Sequence, residues 1–256
     1  MRSPELPFSA RVEHCFSRGA NTYQRSATLQ AAVAIRLAQL ARPLADVLPP
    51  GPRADLGAGS GLLSRAVETK LPDAPLLRLD ACGALLEQEQ PPQPALQRLW
   101  NLNQGLPQEL EGAGLLASSF ALQWLEQPSL QLSRWCETLR PGGALLLAVP
   151  CSGSFQIWHQ AAERAAVPCS ALPLPQAQAL IDTAANHLAL RHCRVLRFSR
   201  PNPGARAFLH QIKTIGAQAS PAARLRPGQL RQLMRHWPGP EHAIVWRVLV
   251  LVGQKR

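Results

Sequence analysis

The chain has 256 residues, of which 46% are hydrophobic and 17% are charged, with a formal net charge of +11. This composition excludes a disordered chain, and no apolar run reaches the roughly eighteen residues that a membrane span needs. Nearly all of the positive charge is arginine, and the excess predicts an acidic partner such as nucleic acid, a membrane surface or an acidic protein. A genome rich in G and C would produce part of the same excess.

The six cysteines are scattered, without a CxxC pair or a histidine at metal-ligand spacing. We therefore predict reduced thiols, no metal site and no disulfides. The first residues lack the apolar core of a signal peptide, so we expect a cytoplasmic protein without a membrane segment. The length suits one domain, residues 1–256.

The chain begins with a helical preface. Apolar residues at helical spacing predict a short helix over 8–19 and a longer one over 26–47, with Ser26 or Thr28 as its N-cap and Pro43 near its end. Residues 8–48 are thus expected to cover the opening of a site in the following fold.

Residues 53–61 read Arg-Ala-Asp-Leu-Gly-Ala-Gly-Ser-Gly and predict a strand that turns into a helix. Asp55 ends the strand, and Gly57, Gly59 and Gly61 allow the backbone to approach a nucleotide-like ligand closely. Asp80 follows Gly61 by nineteen residues at the end of a second apolar run, where a carboxylate can hold a ribose. These residues predict a nucleotide-binding crevice, although such a turn also occurs with only a structural role.

Strand and helix signals then alternate along the chain, which predicts an α/β fold with a doubly wound, mostly parallel sheet of seven strands. Asn101 follows the third strand and is expected to contact an adenine edge, and Ser118 ends the fourth strand at the same crevice. Residues 152–187 interrupt the alternation as a helical insertion. The apolar run 243–252 predicts a final antiparallel strand.

The motif Asp-Leu-Gly-x-Gly-x-Gly resembles motif I of the class I methyltransferases that use S-adenosylmethionine (AdoMet). Four further motifs matter here: Phe16, Arg18, Ala20, Tyr23, Ala27 and Gln30 near the start, then Ser118–Trp124, Leu139–Gly143 and Ile212–Ala217. Through these motifs the chain, from about residue 8 to 252, resembles the malonyl-acyl-carrier-protein O-methyltransferases of biotin synthesis. Three features depart from the family pattern: Gly114, the segment Ala81–Leu86, and Asn101 in place of a commoner Asp.

The resemblance implies AdoMet as cofactor and the free carboxylate of malonyl-acyl carrier protein (ACP) as methyl acceptor. A carboxylate is already ionised at neutral pH, so no catalytic base and no metal are expected. A cation that selects the carboxylate is expected instead, and Arg18 and Arg25 of the preface are candidates, with Arg164, Arg191 and Arg206 further along the chain. Tyr23, Gln123 and Trp124 are expected to contact the substrate.

Two other functions stay open at this point. One is methylation of another small acid or of RNA, although the chain lacks the aromatic-interleaved basic runs of RNA-binding proteins, so that nucleic acid is a less favoured partner. The other is a non-catalytic subunit that binds AdoMet or the carrier.

Overall fold

The computed structural model describes residues 6–71 and 75–256; the parts of the predicted domain that fall on residues 1–5 and 72–74 lie outside the described residues. The described chain forms a seven-stranded sheet in the order β3-β2-β1-β4-β5-β7-β6. The strands are β1 Arg53–Leu56, β2 Leu77–Asp80, β3 Gln97–Leu99, β4 Ala113–Ser119, β5 Leu139–Pro150, β6 Leu188–Arg200 and β7 Ile244–Lys255.

Strands β1 to β5 pair with one another in parallel, and β7 lies antiparallel between β5 and β6. This confirms the seven-stranded, mostly parallel, doubly wound sheet and its final antiparallel strand. The carboxyl ends of β1, β2 and β4 meet at one edge, where the strand order reverses between β1 and β4 and a ligand crevice is expected.

Helices cover both faces of the sheet. They are α1 Phe8–Ser26, α2 Thr28–Ala41, α3 Leu62–Glu68, α4 Gly83–Leu86, α5 Pro128–Thr138, α6 Gln156–Arg164, α7 Ala177–His187, α8 Ala205–Thr214 and α9 Pro227–Arg235. None of the helices in the described ranges is long and apolar enough to cross a membrane.

The sheet is buried on both faces because each side of its central strands faces apolar helices. On one face Trp135 of α5 and Leu180 of α7 pack against Leu145. On the other face Leu37 of α2 and Val67 of α3 pack against Leu146. Alternate residues of β5 thus belong to two separate cores.

The predicted insertion over 152–187 divides into two parts. Its second helix, α7, packs on the sheet with Leu180 and Ala184. Its first helix, α6, instead joins α8 and α9 in a third apolar cluster, where Trp158 packs against Phe208 and Leu233. Only the first half of the stretch, together with α8 and α9, therefore forms a cover beyond the sheet.

The preface differs from its predicted boundaries, because α1 continues to Ser26 and Ala27 is the cap between the two helices, without a side-chain hydrogen bond. Helix α1 docks on the end of α8 through Gly19 and Gly216. A Cβ on Gly19 would lie 2.8 Å from the Gly216 nitrogen, and one on Gly216 would lie 2.7 Å from the Cα of Phe16. The two segments thus approach more closely than side chains would permit.

Candidate functional site

The glycine turn is held by the end of strand β2. The Asp80 carboxylate accepts hydrogen bonds from the Gly59 N–H through Oδ2 and from the Cys82 N–H through Oδ1, both at 2.8 Å. The N–H groups of Gly57 and Ala58 donate to the Leu79 carbonyl. Burial raises the pKa of Asp80, while the backbone hydrogen bonds act in the opposite direction. Asp80 therefore fixes the shape of the turn in addition to facing the crevice.

The glycines of the turn are required for different reasons. A Cβ on Gly57 would collide with the Cβ of Ala121, whereas Gly59 lines the crevice at a left-handed φ of 54°, and a Cβ there would contact only Leu85 Cδ1 at 3.8 Å. A Cβ on Gly61 would collide with the side chain of Glu89, which is paired with the buried Arg78. Gly61 lies outside the cavity lining, so packing against Glu89 accounts for it.

A cavity of about 930 Å³, counted to its open mouth, lies above this turn. The cavity brings together five of the seven residues predicted for the cofactor and two predicted for the substrate. They are Asp55, Gly57, Gly59, Asp80 and Asn101, with Tyr23 and Trp124.

Asp55 carries a buried polar atom without a protein partner. Its side chain is 1% exposed, and Oδ2 accepts a 2.7 Å hydrogen bond from Ser64 Oγ. Oδ1 has no hydrogen-bond partner within the described residues, and Asp55 is one of the residues that line the cavity. Burial raises the pKa of Asp55 to about 7, and the Ser64 hydrogen bond opposes that rise. An orphaned carboxylate oxygen of this kind favours a ligand that brings a positive charge or a donor.

Ser118 does not lie where the sequence predicted it. Its hydroxyl is fully buried and donates to the Leu56 carbonyl at 2.7 Å, which ties β4 to β1. The next residue, Ser119, lines the cavity instead, and its Oγ has no partner in the described chain. Successive side chains of a strand point to opposite faces, so a shift of one residue exchanges the roles.

Asn101 lines the cavity after the end of β3. Its Oδ1 accepts from the backbone N–H of Asn103 at 3.0 Å and from the Asn103 side-chain amide at 3.1 Å. Because the oxygen is occupied, a ligand contact from Asn101 would come from its amide N–H groups.

A second cavity of about 720 Å³ adjoins the first and is largely apolar. It lies beneath the cover, between Trp158 of α6, Ile212 of α8 and Trp246 of β7. The two cavities share Phe16, Tyr23, Gln30, Phe120 and Trp124. A molecule in the second cavity would therefore reach the first past this set of side chains.

Aromatic side chains form the junction. Phe16 meets Trp124 edge to face, with ring centres 5.3 Å apart, and it meets Tyr23 at 6.2 Å. The half-buried Tyr23 faces both cavities, and burial and the carboxylates of Asp80 and Asp55 raise the pKa of its hydroxyl. Tyr23 therefore stays protonated and able to donate a hydrogen bond.

Phe120 is a junction residue that was not among the predicted site residues, although it lies within the motif Ser118–Trp124. Its φ of 56° is left-handed, a conformation that bulky residues seldom adopt and that occurs often at functional sites. Gln123 holds this turn by donating to the Phe120 carbonyl at 2.7 Å, while its buried Oε1 has no partner in the described part. Gln123 lines the second cavity, so this oxygen can accept from a ligand.

No arginine, lysine or histidine of the described residues lines either cavity. Arg18 and Arg25 are exposed on α1, outside both cavities, and Arg164, Arg191 and Arg206 are also exposed and outside them. The predicted carboxylate-binding arginine is therefore not placed in the crevice. Within the described ranges no group of histidine, cysteine and acidic residues could hold a metal ion.

Known proteins resemble this chain along most of its length. It is 32% identical over 219 residues to a malonyl-[acyl-carrier protein] O-methyltransferase of Herminiimonas arsenicoxydans, covering 84% of this chain and 80% of that protein. The chain belongs to the malonyl-acyl-carrier-protein O-methyltransferase family. It is also 32% identical over 239 residues to the biotin biosynthesis bifunctional protein BioCD of Bordetella avium, covering 92% of this chain and 50% of that protein.

The chain spans about half the length of several curated relatives of this family that it matches. No family model matches it. Among solved structures, geranyl diphosphate C-methyltransferase of Streptomyces coelicolor superposes with a TM-score of 0.55 at 12% identity, covering 99% of this chain and 100% of that one. This likeness concerns the fold and agrees with a Rossmann-like methyltransferase sheet.

Proposed function

We propose that this protein transfers a methyl group from AdoMet to the free carboxylate of malonyl-ACP, as its family membership suggests. The observation that carries the proposal is the pair of adjoining cavities, one lined by a glycine turn and carboxylates and the other by apolar side chains. A nucleoside cofactor suits the first, and an acyl thioester on a long arm suits the second.

The residues of the first cavity fit AdoMet. The absence of a side chain at Gly59 lets a ligand approach the backbone, and Asp80 can accept from ribose hydroxyls with the lone pairs that the turn leaves unused. The orphaned Oδ1 of Asp55 suits the cationic methionine portion, and Asn101 suits the adenine. When bound, AdoMet supplies an electrophilic methyl group on a positively charged sulfur.

The chain's own residues bind and orient the acceptor. A malonyl carboxylate is ionised at neutral pH, so its methylation needs no general base. The Tyr23 hydroxyl and the Gln30 amide at the junction can donate hydrogen bonds to it. Neutral donors in an apolar cavity orient the carboxylate and exclude water without the strong ion pair that would weaken it as a nucleophile.

The decisive experiment is mass spectrometry of purified protein with AdoMet and three acceptors: malonyl-ACP, acetyl-ACP and malonyl-coenzyme A. We expect one added methyl group on malonyl-ACP, less on malonyl-coenzyme A, and none on acetyl-ACP, which has no free carboxylate. Methylation of free dicarboxylic acids in preference to both thioesters would favour the small-acid alternative. Tight AdoMet binding without transfer to any acceptor would favour a non-catalytic subunit.

The exposed arginines of α1 are expected to act on the carrier. Acyl carrier proteins are acidic, and Arg18 and Arg25 lie on the outer side of the helix whose inner side lines both cavities. We expect Arg18→Glu and Arg25→Glu to lower kcat/KM for malonyl-ACP, with an additive loss that fades as salt screens charges beyond about 8 Å. Steady-state kinetics across a salt titration measures this.

Malonyl-coenzyme A is the matched control, because it lacks the protein surface. Its kcat/KM should change less in the same variants. Equal losses with both substrates would assign these arginines to the arm or the pocket, and unchanged kinetics would leave the positive charge without a role in docking.

A further inference from the structure

A third cavity opens beside the second, between the α1–α2 junction, the end of β6 and helix α8. It shares Gln30, Ile212, Ile215 and Trp246 with the second cavity, so the two are neighbours under the same cover. Unlike the second cavity it has a charged side chain in its wall. Its polar lining residues are Ser26, Thr28, Gln30, Ser199, Arg200 and Gln211.

Arg200 is the one basic residue that lines any of these three cavities in the described chain. Its guanidinium lies over the Trp246 ring, 5.0 Å from the ring centre. Nε is shielded from solvent without a hydrogen-bond partner, and no carboxylate of residues 6–71 and 75–256 pairs with the group. Burial lowers the pKa of Arg200.

Removing a guanidinium partly from water without a counter-ion costs free energy, and stacking on Trp246 offsets only part of that cost. The stacking also fixes the plane of the guanidinium, so that its N–H groups are oriented before a ligand binds. The arrangement therefore suits an anion with two or more oxygens in the third cavity, such as a carboxylate or a phosphate.

The sheet register separates Arg200 from the first cavity. Val248 of β7 pairs with Pro150 at the end of β5 and with Leu196 of β6. Arg200 therefore lies four residues beyond the level at which β5 ends, or about 13 Å at roughly 3.3 Å per residue. Arg200 lines only the third of the three cavities, whereas Asp55 and Asp80 line only the first.

We propose that Arg200 binds the phosphate of the phosphopantetheine arm on which the carrier presents its acyl group. This inference rests on the proposed function. With the malonyl end at the junction, the arm runs through the apolar second cavity, and its phosphate, at the opposite end, reaches the third. The same placement argues against the malonyl carboxylate as the partner of Arg200, because Arg200 lines neither cavity that meets at the junction.

The test compares two minimal substrates, malonyl-pantetheine and malonyl-4′-phosphopantetheine, which differ only in the phosphate. The measured quantity is the ratio of their kcat/KM values. We expect the unaltered protein to favour the phosphorylated substrate about tenfold, as the loss of a charge-assisted hydrogen bond at a half-exposed site implies. Arg200→Met, which keeps apolar contact with Trp246, should bring the ratio close to one, and Arg200→Lys should leave it between the two.

Arg197→Met is the matched control, because Arg197 is exposed on the same strand and lines none of the three cavities. It should keep the ratio of the unaltered protein. A ratio near one in the unaltered protein, or an unchanged ratio in Arg200→Met, would overturn the proposal. So would equal losses with both substrates, since they would assign Arg200 to the fold or to the malonyl end.

Calorimetry with 4′-phosphopantetheine and with pantetheine, neither carrying an acyl group, separates this inference from the proposed function. Phosphate-dependent binding that Arg200→Met abolishes supports the phosphate site, even if no malonyl thioester is methylated and the proposed function fails. Methylation of malonyl thioesters together with equal binding of 4′-phosphopantetheine and pantetheine would instead contradict the phosphate site and leave the proposed function intact.

Discussion

Asp80→Ala is expected to weaken AdoMet binding by about 1–3 kcal/mol, the usual cost of losing a charged hydrogen-bond partner. The carboxylate accepts from Gly59 and Cys82, so the substitution removes both the proposed ribose acceptor and the support of the glycine turn. Isothermal titration calorimetry with AdoMet measures the loss.

Two further variants show which role dominates. Asp80→Asn keeps one acceptor oxygen but turns an amide N–H₂ toward a backbone donor or the ligand, so we expect an intermediate affinity. Asp182→Ala, an exposed acid on α7, should leave the affinity unchanged. Unchanged affinity in Asp80→Ala would remove Asp80 from the cofactor site.

The second large effect is a pH dependence that arises from Asp55. Its pKa is about 7 in the folded protein against 3.8 for the unperturbed group. Between those two pH values the unfolded chain releases this proton while the folded protein retains it. The free energy of unfolding should therefore fall as pH rises from about 4 to about 7, by at most about 1.4 kcal/mol per pH unit, and level off above.

Binding of AdoMet should respond in the opposite direction. A cationic ligand beside the orphaned Oδ1 favours the ionised carboxylate, so affinity should rise with pH up to about 7, by at most about tenfold per unit. Asp55→Asn is nearly isosteric and cannot ionise. It should remove this part of both pH profiles, measured by denaturant unfolding and by calorimetry at a series of pH values. Profiles that coincide for the variant and the unaltered protein would show that Asp55 is ionised throughout.

The parts of the site that the sequence predicted are those that depend on local geometry. The turn of Gly57 and Gly59 and the carboxylate of Asp80 follow from a strand, a tight turn and a helix close together in the chain, and one cavity contains all three residues. Ser118 was misplaced by one residue because the register of β4 is set by pairing with β1 and β5, which no local pattern reports.

The cover could not be predicted from periodicity. The apolar faces of α6 and α8 show that each helix packs against something, but their partner is a segment about fifty residues away in the chain, on the other side of α7 and β6. For the same reason the sequence offered several arginines and did not favour Arg200. Arg200 differs from the other arginines because tertiary packing partly buries its guanidinium and stacks it on the Trp246 ring.

The close contact of Gly19 with Gly216 joins the beginning of the described chain to a segment almost two hundred residues later. During synthesis α1 emerges before α8, so its docking surface on α8 exists only after the sheet strands up to β6 have been made. Closing a loop of this length costs conformational entropy, and the contact between α1 and α8 offsets that cost only once it has formed. The wall that bears Phe16 and Tyr23 is thus held from two sides, by Cys82 and Leu85 nearer in the chain and by Gly216 far along it, and the second support is present only once α8 has been made.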